Sequence, residues 1–209
     1  MKPRMDLLVL DAHGVVLNAY WPRFLCEIAQ RTGEPVERVV DRWHVHVRED
    51  AWLGRINDEE LWGRLVPACA GRHDWQAVLE AGYTLGPASA YLQRWTAHLP
   101  IWLLSNHRSH WLLPRLERFN LMGCFERILV SDAIGAAKPE PKAFDDILKY
   151  GPPSQRILFV DDQACNVAAA RQRSIRALQT DAGRAWVDTV DNLIGAVSIT
   201  KSAGIVARH

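Results

Sequence analysis

The sequence predicts a doubly wound, Rossmann-like α/β fold: a parallel sheet covered by helices on both faces, with a small helical cap inserted after the first strand. Two observations carry this. Four short apolar runs recur, each ending in polar residues: "DLLVLD" (6–11), "PIWLLSN" (100–106), "RILVSD" (127–132) and "RILFVDD" (156–162). Continuous Leu, Ile and Val over so few residues suits strands buried on both faces. Helical patterns stand between them, and strand–helix alternation argues for a parallel sheet.

Element by element, "LPRLERFNL" (113–121) reads as a helix with Pro114 in its first turn, where proline is tolerated. "PKAFDDILKY" (141–150) opens on Pro141 and stops before "GPP". "CNVAAARQR" (165–173) reads as a helix after an acidic loop, and "IRALQT" (175–180) as a fifth, weaker strand. "AWVDTVDNLIGAV" reads as a closing helix, followed by a frayed tail. The stretch between the first two strands is too long for a simple crossover. It holds helical patterns at "FLCEIAQRTG", "VERVVDRWHVHVRED", "NDEELWGRLV" and "WQAVLEAG", with Asn57 as N-cap and Glu60 at the capping-box offset. The expected division is therefore a core of residues 1–18 and 91–209 with a cap of residues 19–90.

Composition narrows the function. With 209 residues, 48% hydrophobic, 23% charged and a net charge of +1, the chain reads as an ordinary soluble domain with no basic run for nucleic acid. Cys26, Cys69, Cys124 and Cys165 lie far apart with no C-x-x-C pair. A reduced, cytoplasmic setting without structural zinc is expected. The start of the chain does not read as a signal peptide, and no run is long enough to span a membrane.

In a doubly wound fold, ligands bind beyond the carboxyl ends of the strands. There the sequence places Asp11, Ser105, Asn106, Asp132, Asp161 and Asp162. Asp11, followed by Gly14, can face a ligand that backbone N–H groups also approach, although a turn aspartate reads the same way. Ser105 and Asn106 suit a phosphate oxygen, and also a plain turn. Lys138, held extended by Pro139, suits a phosphate and a carboxylate together, although most lysines are merely solvated. The adjacent Asp161 and Asp162 repel each other and call for a hard cation such as Mg²⁺.

Taken in order, "VLDAHGVV", "LLSN", "KPEPKAF" and "FVDDQACNVAAA" resemble the four motifs of the haloacid dehalogenase-like superfamily. The likeness runs over nearly the whole chain. It looks closest to small-cap members such as sugar-phosphate phosphatases and the N-terminal phosphatase domain of soluble epoxide hydrolases. "GRINDEELW" (54–62) resembles a segment of their caps.

The resemblance implies Asp11 as the nucleophile that forms an aspartyl-phosphate. It implies Mg²⁺ held by Asp11, the backbone carbonyl of His13, and Asp161 or Asp162. Gly14, Ser105, Asn106 and Lys138 would grip phosphate oxygens. The substrate would be a small phosphorylated metabolite. One position departs from the pattern. Phosphatases of this family have an aspartate acid/base where this chain has His13. Three readings follow: a histidine acid/base suited to good leaving groups; a different reaction, such as dehalogenation through the same aspartate; or a fold retained for binding or regulation.

In the cap stretch 41–55, Trp43, Trp52, Arg48 and Arg55 are candidates to shape a pocket. His44 and His46, two residues apart, make a poor metal pair on a helix. In "SNHRSHW" (105–111), His107 is a candidate to assist proton transfer, with Arg108 and His110 beside it.

Overall fold

The computed structural model describes residues 4–67, 74–181, 183 and 185–195. Cys69 and the tail beyond residue 195 lie outside them. Five strands form one parallel sheet: β1 (Leu7–Leu10), β2 (Ile101–Ser105), β3 (Arg127–Val130), β4 (Ile157–Asp161) and β5 (Arg176–Gln179). Their order is β3-β2-β1-β4-β5, so the winding reverses at β1. The reversal opens a crevice above the carboxyl ends of β1 and β4.

The apolar runs form strands because both faces of the sheet are covered. Successive side chains point to opposite faces. Leu8 and Leu10 join Leu103 and Val160 on one side, while Leu7 and Val9 join Trp102, Leu104 and Phe159 on the other. The first face packs against Trp95, Leu112, Leu116 and Val190. These residues come from α6 (Leu92–Thr96), α7 (Ser109–Arg118) and α11 (Ala185–Ile194). The second face packs against Ile147 of α9 (Asp145–Tyr150), Val167 and Ala170 of α10 (Ala164–Gln172), and Phe144, whose ring meets Phe159 edge-on at 5.5 Å.

Between β1 and β2 lie α1 (Trp21–Thr32), α2 (Val36–Arg42), α3 (Arg48–Trp52), α4 (Asp58–Leu65) and α5 (Trp75–Ala81). They enclose an apolar cluster of their own that includes Phe24, Trp43, Trp52, Leu61 and Trp75. The Asn57–Glu60 capping box is formed at the start of α4. The chain leaves and re-enters the sheet domain side by side. Asn18 N–H donates to the Thr84 carbonyl at 3.0 Å, Gly86 N–H to Val16 at 2.8 Å and Ala88 N–H to Val15 at 2.8 Å.

Two elements differ from the sequence reading. The stretch 36–52 is not one helix: a π-helical turn, Trp43–Val47, separates α2 from α3. The helix expected from Leu113 starts four residues earlier, at Ser109, which leaves Pro114 inside it. The start is fixed by Asp132, which accepts from the Ser109 N–H at 2.7 Å and from the Ser109 hydroxyl. That bond to another strand's end outweighs proline's preference for a first turn.

Gly86 marks the point of the paired crossing where backbone meets backbone most closely. A Cβ there would stand 2.7 Å from the Leu17 backbone and the Val15 carbonyl. Backbone cannot step aside as a side chain can. Gly86→Ala is expected to destabilise the fold by about 1–3 kcal/mol, the usual cost of overpacking, read as a lower urea midpoint with an unchanged slope.

Candidate active site

Each sheet strand from β1 to β4 delivers a polar group to the same rim. Asp11 follows β1, Ser105 ends β2, Ser131 and Asp132 open the short helix α8 (Ser131–Ile134) after β3, and Asp161 ends β4 with Asp162 next. Lys138 arrives from the loop after β3. Its ammonium donates to Asp11 Oδ1 at 2.7 Å and to Asp161 Oδ2 at 2.6 Å, with all three groups buried. Asn106 fixes this lysine by its backbone. Its Oδ1 accepts from the Lys138 N–H at 2.7 Å, and its Nδ2 donates to the Lys138 carbonyl at 2.6 Å. The Asn106 side chain thus serves Lys138, which leaves the phosphate contact expected of its amide untouched.

The two adjacent aspartates have different surroundings. Asp161 is saturated: Oδ1 accepts from Gln163 N–H (2.8 Å) and Asn166 Nδ2 (3.0 Å), Oδ2 from Lys138 (2.6 Å) and Asn166 (3.0 Å). Asp162 is not. Its Oδ1 is buried without a partner, and burial together with the Asp161 charge pushes its carboxyl up. Gly14 makes room for it. Gly14 has φ +80°, and a Cβ there would meet Asp162 Oδ2 at 2.5 Å. The Gly14 amide is already committed to the Leu17 carbonyl at 2.7 Å, so what Gly14 supplies is space. The Ser105 hydroxyl is buried with no partner among the described residues.

Burial pushes the Asp11 carboxyl up to about 7; Lys138 pulls it down, and the Asp161 and Asp162 charges add to the rise. Burial would lower the Lys138 ammonium, but Asp11 and Asp161 hold it above its ordinary value. One ammonium among three carboxylates leaves a deficit of positive charge. Oxygens of Asp11, Asp161 and Asp162 lie within 4.8 Å of one another, a spacing that suits one hard cation. The unpartnered Asp162 oxygen is placed to take it, beside the Asp11 carboxylate. The residues present therefore fit Mg²⁺.

His13 closes the other side. Burial, Arg115 and Lys138 drive its imidazole down to about 3, so the ring is neutral. Its Nε2 is buried without a partner. The ring stacks on His107 at 4.7 Å and tilts against Tyr83 at 5.0 Å. His107 has no proton to spare for chemistry. Arg115 can only donate, so His107 Nε2 accepts from it at 2.9 Å, and Nδ1–H must donate to the Arg108 carbonyl at 3.0 Å. Arg115 is buried, stacks on the Tyr83 ring at 3.9 Å, and pairs with Glu80 of α5, its Nε standing 2.8 Å from Oε1. Asp58, at the start of α4, takes Arg108 at 3.0 Å, His110 at 3.0 Å and the Trp111 N–H at 3.0 Å. These bonds seat the cap helices on α7 and roof the crevice.

Of the cap candidates, Trp43, His44, Arg48 and Trp52 line the resulting cavity of about 450 Å³, together with Asp11, His13, Lys138 and Asp162. Arg55 instead pairs with Glu49 and Asp50. The sequence reading passed over Asn166, Arg115, Glu80 and Tyr83. Asn166 left a signal: an asparagine in an otherwise small and apolar helical stretch, five residues after Asp161.

Residues 5–172 match the haloacid dehalogenase-like hydrolase family. The chain belongs to this family. Among proteins of this kind, it is 26% identical over 223 residues to "Phosphatase MT3486" of Mycobacterium tuberculosis (strain CDC 1551 / Oshkosh), covering 96% of this chain and 99% of that one. It is 31% identical over 121 residues to the pyrimidine 5'-nucleotidase YjjG of Escherichia coli (strain K12), which is 57% of this chain but only 51% of YjjG. The chain thus matches about half the length of that relative. The family enzyme BT-2542 of Bacteroides thetaiotaomicron, solved in complex with magnesium and inorganic phosphate, superposes with a TM-score of 0.72 at 18% identity, covering 88% of this chain and 98% of that one. At that identity the likeness shows a shared fold.

Lys138→Met removes the only cation among the described residues that bonds both Asp11 and Asp161. It should destabilise the protein by about 3–5 kcal/mol, the range for breaking a buried pair from one side, measured by urea unfolding without divalent metal. Adding Asp161→Asn to that variant should recover part of the loss.

Proposed function

We propose that this chain is a Mg²⁺-dependent phosphatase acting on a small phosphorylated metabolite, with Asp11 as the phosphoryl acceptor. The observation that carries the reading is the convergence of Asp11, Lys138 and the unsatisfied Asp162 at the β1–β4 crevice. Mg²⁺ held by Asp11, Asp162 and the His13 backbone carbonyl would neutralise charge on the phosphoryl group and keep Asp11 ionised.

The chain's own residues divide the work. The second oxygen of Asp11 attacks phosphorus; the bond to the leaving oxygen breaks, and the phosphoryl group passes to Asp11. Lys138 holds the other Asp11 oxygen, so the attacking atom has a fixed position. Its charge also offsets the equatorial oxygens, where the free Ser105 hydroxyl can donate a further bond. Asp161, saturated by Asn166, Gln163 and Lys138, positions that lysine. Water then attacks phosphorus, the phosphorus–Asp11 bond breaks, and inorganic phosphate leaves.

His13 sets the range of leaving groups. A neutral imidazole is a poor proton donor to a departing alkoxide, whereas its unpartnered Nε2 can accept a proton from the attacking water. The first step therefore favours esters whose leaving oxygen needs little protonation. Dehalogenation through Asp11 is the lesser reading, because a metal-free site would hold Asp11, Asp161 and Asp162 together against Lys138 alone.

With p-nitrophenyl phosphate, turnover should require Mg²⁺, vanish with EDTA, and fall by about 10⁴-fold or more in Asp11→Asn. Chloride released from a 2-haloacid without metal would instead favour dehalogenation, and inertness toward that ester and a panel of sugar phosphates would favour a binding module. His13→Asp should raise kcat on sugar phosphates by about 10²-fold, the lower range for a general acid, and change p-nitrophenyl phosphate hydrolysis far less.

A further inference from the structure

Core residues such as Asp11 and Lys138 line part of the cavity, and the cap residues that line the rest have a character of their own. Trp21, Trp43 and Trp52 stand together there, with ring centroids 4.4–5.4 Å apart. Trp21 Nε1 is buried without an acceptor.

One cation joins these rings. Arg48 is half-buried and lines the cavity. Among the described residues no carboxylate pairs with it. The neighbouring acids are engaged elsewhere: Glu49 with Arg55 at 2.8 Å, and Asp50 with Arg64 at 2.8 Å. A guanidinium in a cavity wall without a counter-charge is placed to meet an anionic ligand.

The backbone explains why Arg48 points this way. Arg48 follows Val40 by eight residues, which on an uninterrupted α-helix is an offset of about 80°. The wider π-helical turn at Trp43–Val47 takes up most of that offset, and Val40, Trp43, His44 and Arg48 line one cavity. A π-helical turn inside a helix often marks a functional site.

We propose that the ligand of this cavity is an aryl phosphate whose ring carries a second anionic group. The phosphate lies at Asp11 and Lys138, the ring lies against the tryptophans, and the second anion pairs with Arg48. The placement of the phosphate rests on the reading of Asp11 given above. The transferring phosphoryl group already has Lys138 and the Ser105 hydroxyl, so the cap arginine is available for a different anion. A carboxylate fits it best, because the planar guanidinium fork matches a carboxylate in two parallel bonds.

Two measurements separate this proposal from the phosphatase reading. The first is binding without turnover: tryptophan fluorescence titrations, with Mg²⁺ present, of phenylphosphonate and 4-carboxyphenylphosphonate. The wild-type chain should bind the carboxylated probe about tenfold or more tightly, as a charge-assisted bond allows. Arg48→Ala should reduce that preference to within about twofold, and Arg48→Lys should keep part of it. The second is turnover of phenyl phosphate and 4-carboxyphenyl phosphate, where the same preference should fall in KM.

No preference in the wild type, no binding of either phosphonate, or an equal loss for both probes in Arg48→Ala would overturn the proposal. The last result would mean that Arg48 serves the phosphate itself. An Arg48-dependent binding preference without any turnover would leave the ligand class standing and remove the phosphatase reading.

Discussion

The site depends on one electrostatic constraint: Asp11, Asp161 and Asp162 share a buried rim with a single ammonium, that of Lys138. Desolvation penalises each charge, and the acids raise one another's pKa. Lys138 can bond two of them, and it takes Asp11 and Asp161. That choice ties Asp161 into the scaffold through Asn166 and leaves Asp162 over Gly14 with an oxygen unsatisfied. A divalent cation answers both the charge deficit and the open ligand positions, and an incoming phosphate dianion makes the need for it greater.

The roof of the crevice answers a second constraint, the burial of Arg115. Its guanidinium sits beneath His107 and Tyr83 and is neutralised from the cap by Glu80. Because Arg115 can only donate, it fixes the tautomer of His107. Because it is cationic, it also helps keep the stacked His13 uncharged. The neutral ring of His13 comes first from burial, to which the charges of Arg115 and Lys138 add.

This division explains what could be read from the sequence. Apolar runs ending in Asp11, Ser105 and Asp161 were legible because burial on both faces forces continuous hydrophobicity, and a strand end is where that pattern must stop. Their convergence followed from the parallel sheet, which brings every strand's carboxyl end to one side. The Asp161–Asp162 pair was legible as a source of repulsion, but which of the two is free was not. That depends on Asn166 and on the space over Gly14, which only the folded chain brings together. Arg115 and Glu80 lie far apart in sequence, and each reads locally as a solvated helix charge. The early start of α7 and the π-helical turn escaped for the same reason: a bond from Asp132 sets the one, and packing of Trp43 and Val47 into the cap cluster accompanies the other.

The same division separates the two parts of the chemistry. In the proposed reading, groups that meet the phosphoryl unit stand on strand ends and on a lysine whose backbone is clamped by Asn106, which are rigid supports. Groups that meet the rest of a substrate stand on cap helices held by a few polar contacts, Asp58 with Arg108 and Trp111, and Glu80 with Arg115. Changes in the cap can therefore alter which ligand is accepted while the strand-end groups keep their geometry. His13 is the exception, since it belongs to the core loop but borrows its environment from the cap. In the proposed reading it sets the choice of leaving group, so cap substitutions that let water reach its buried ring would act on the chemistry by way of its imidazole.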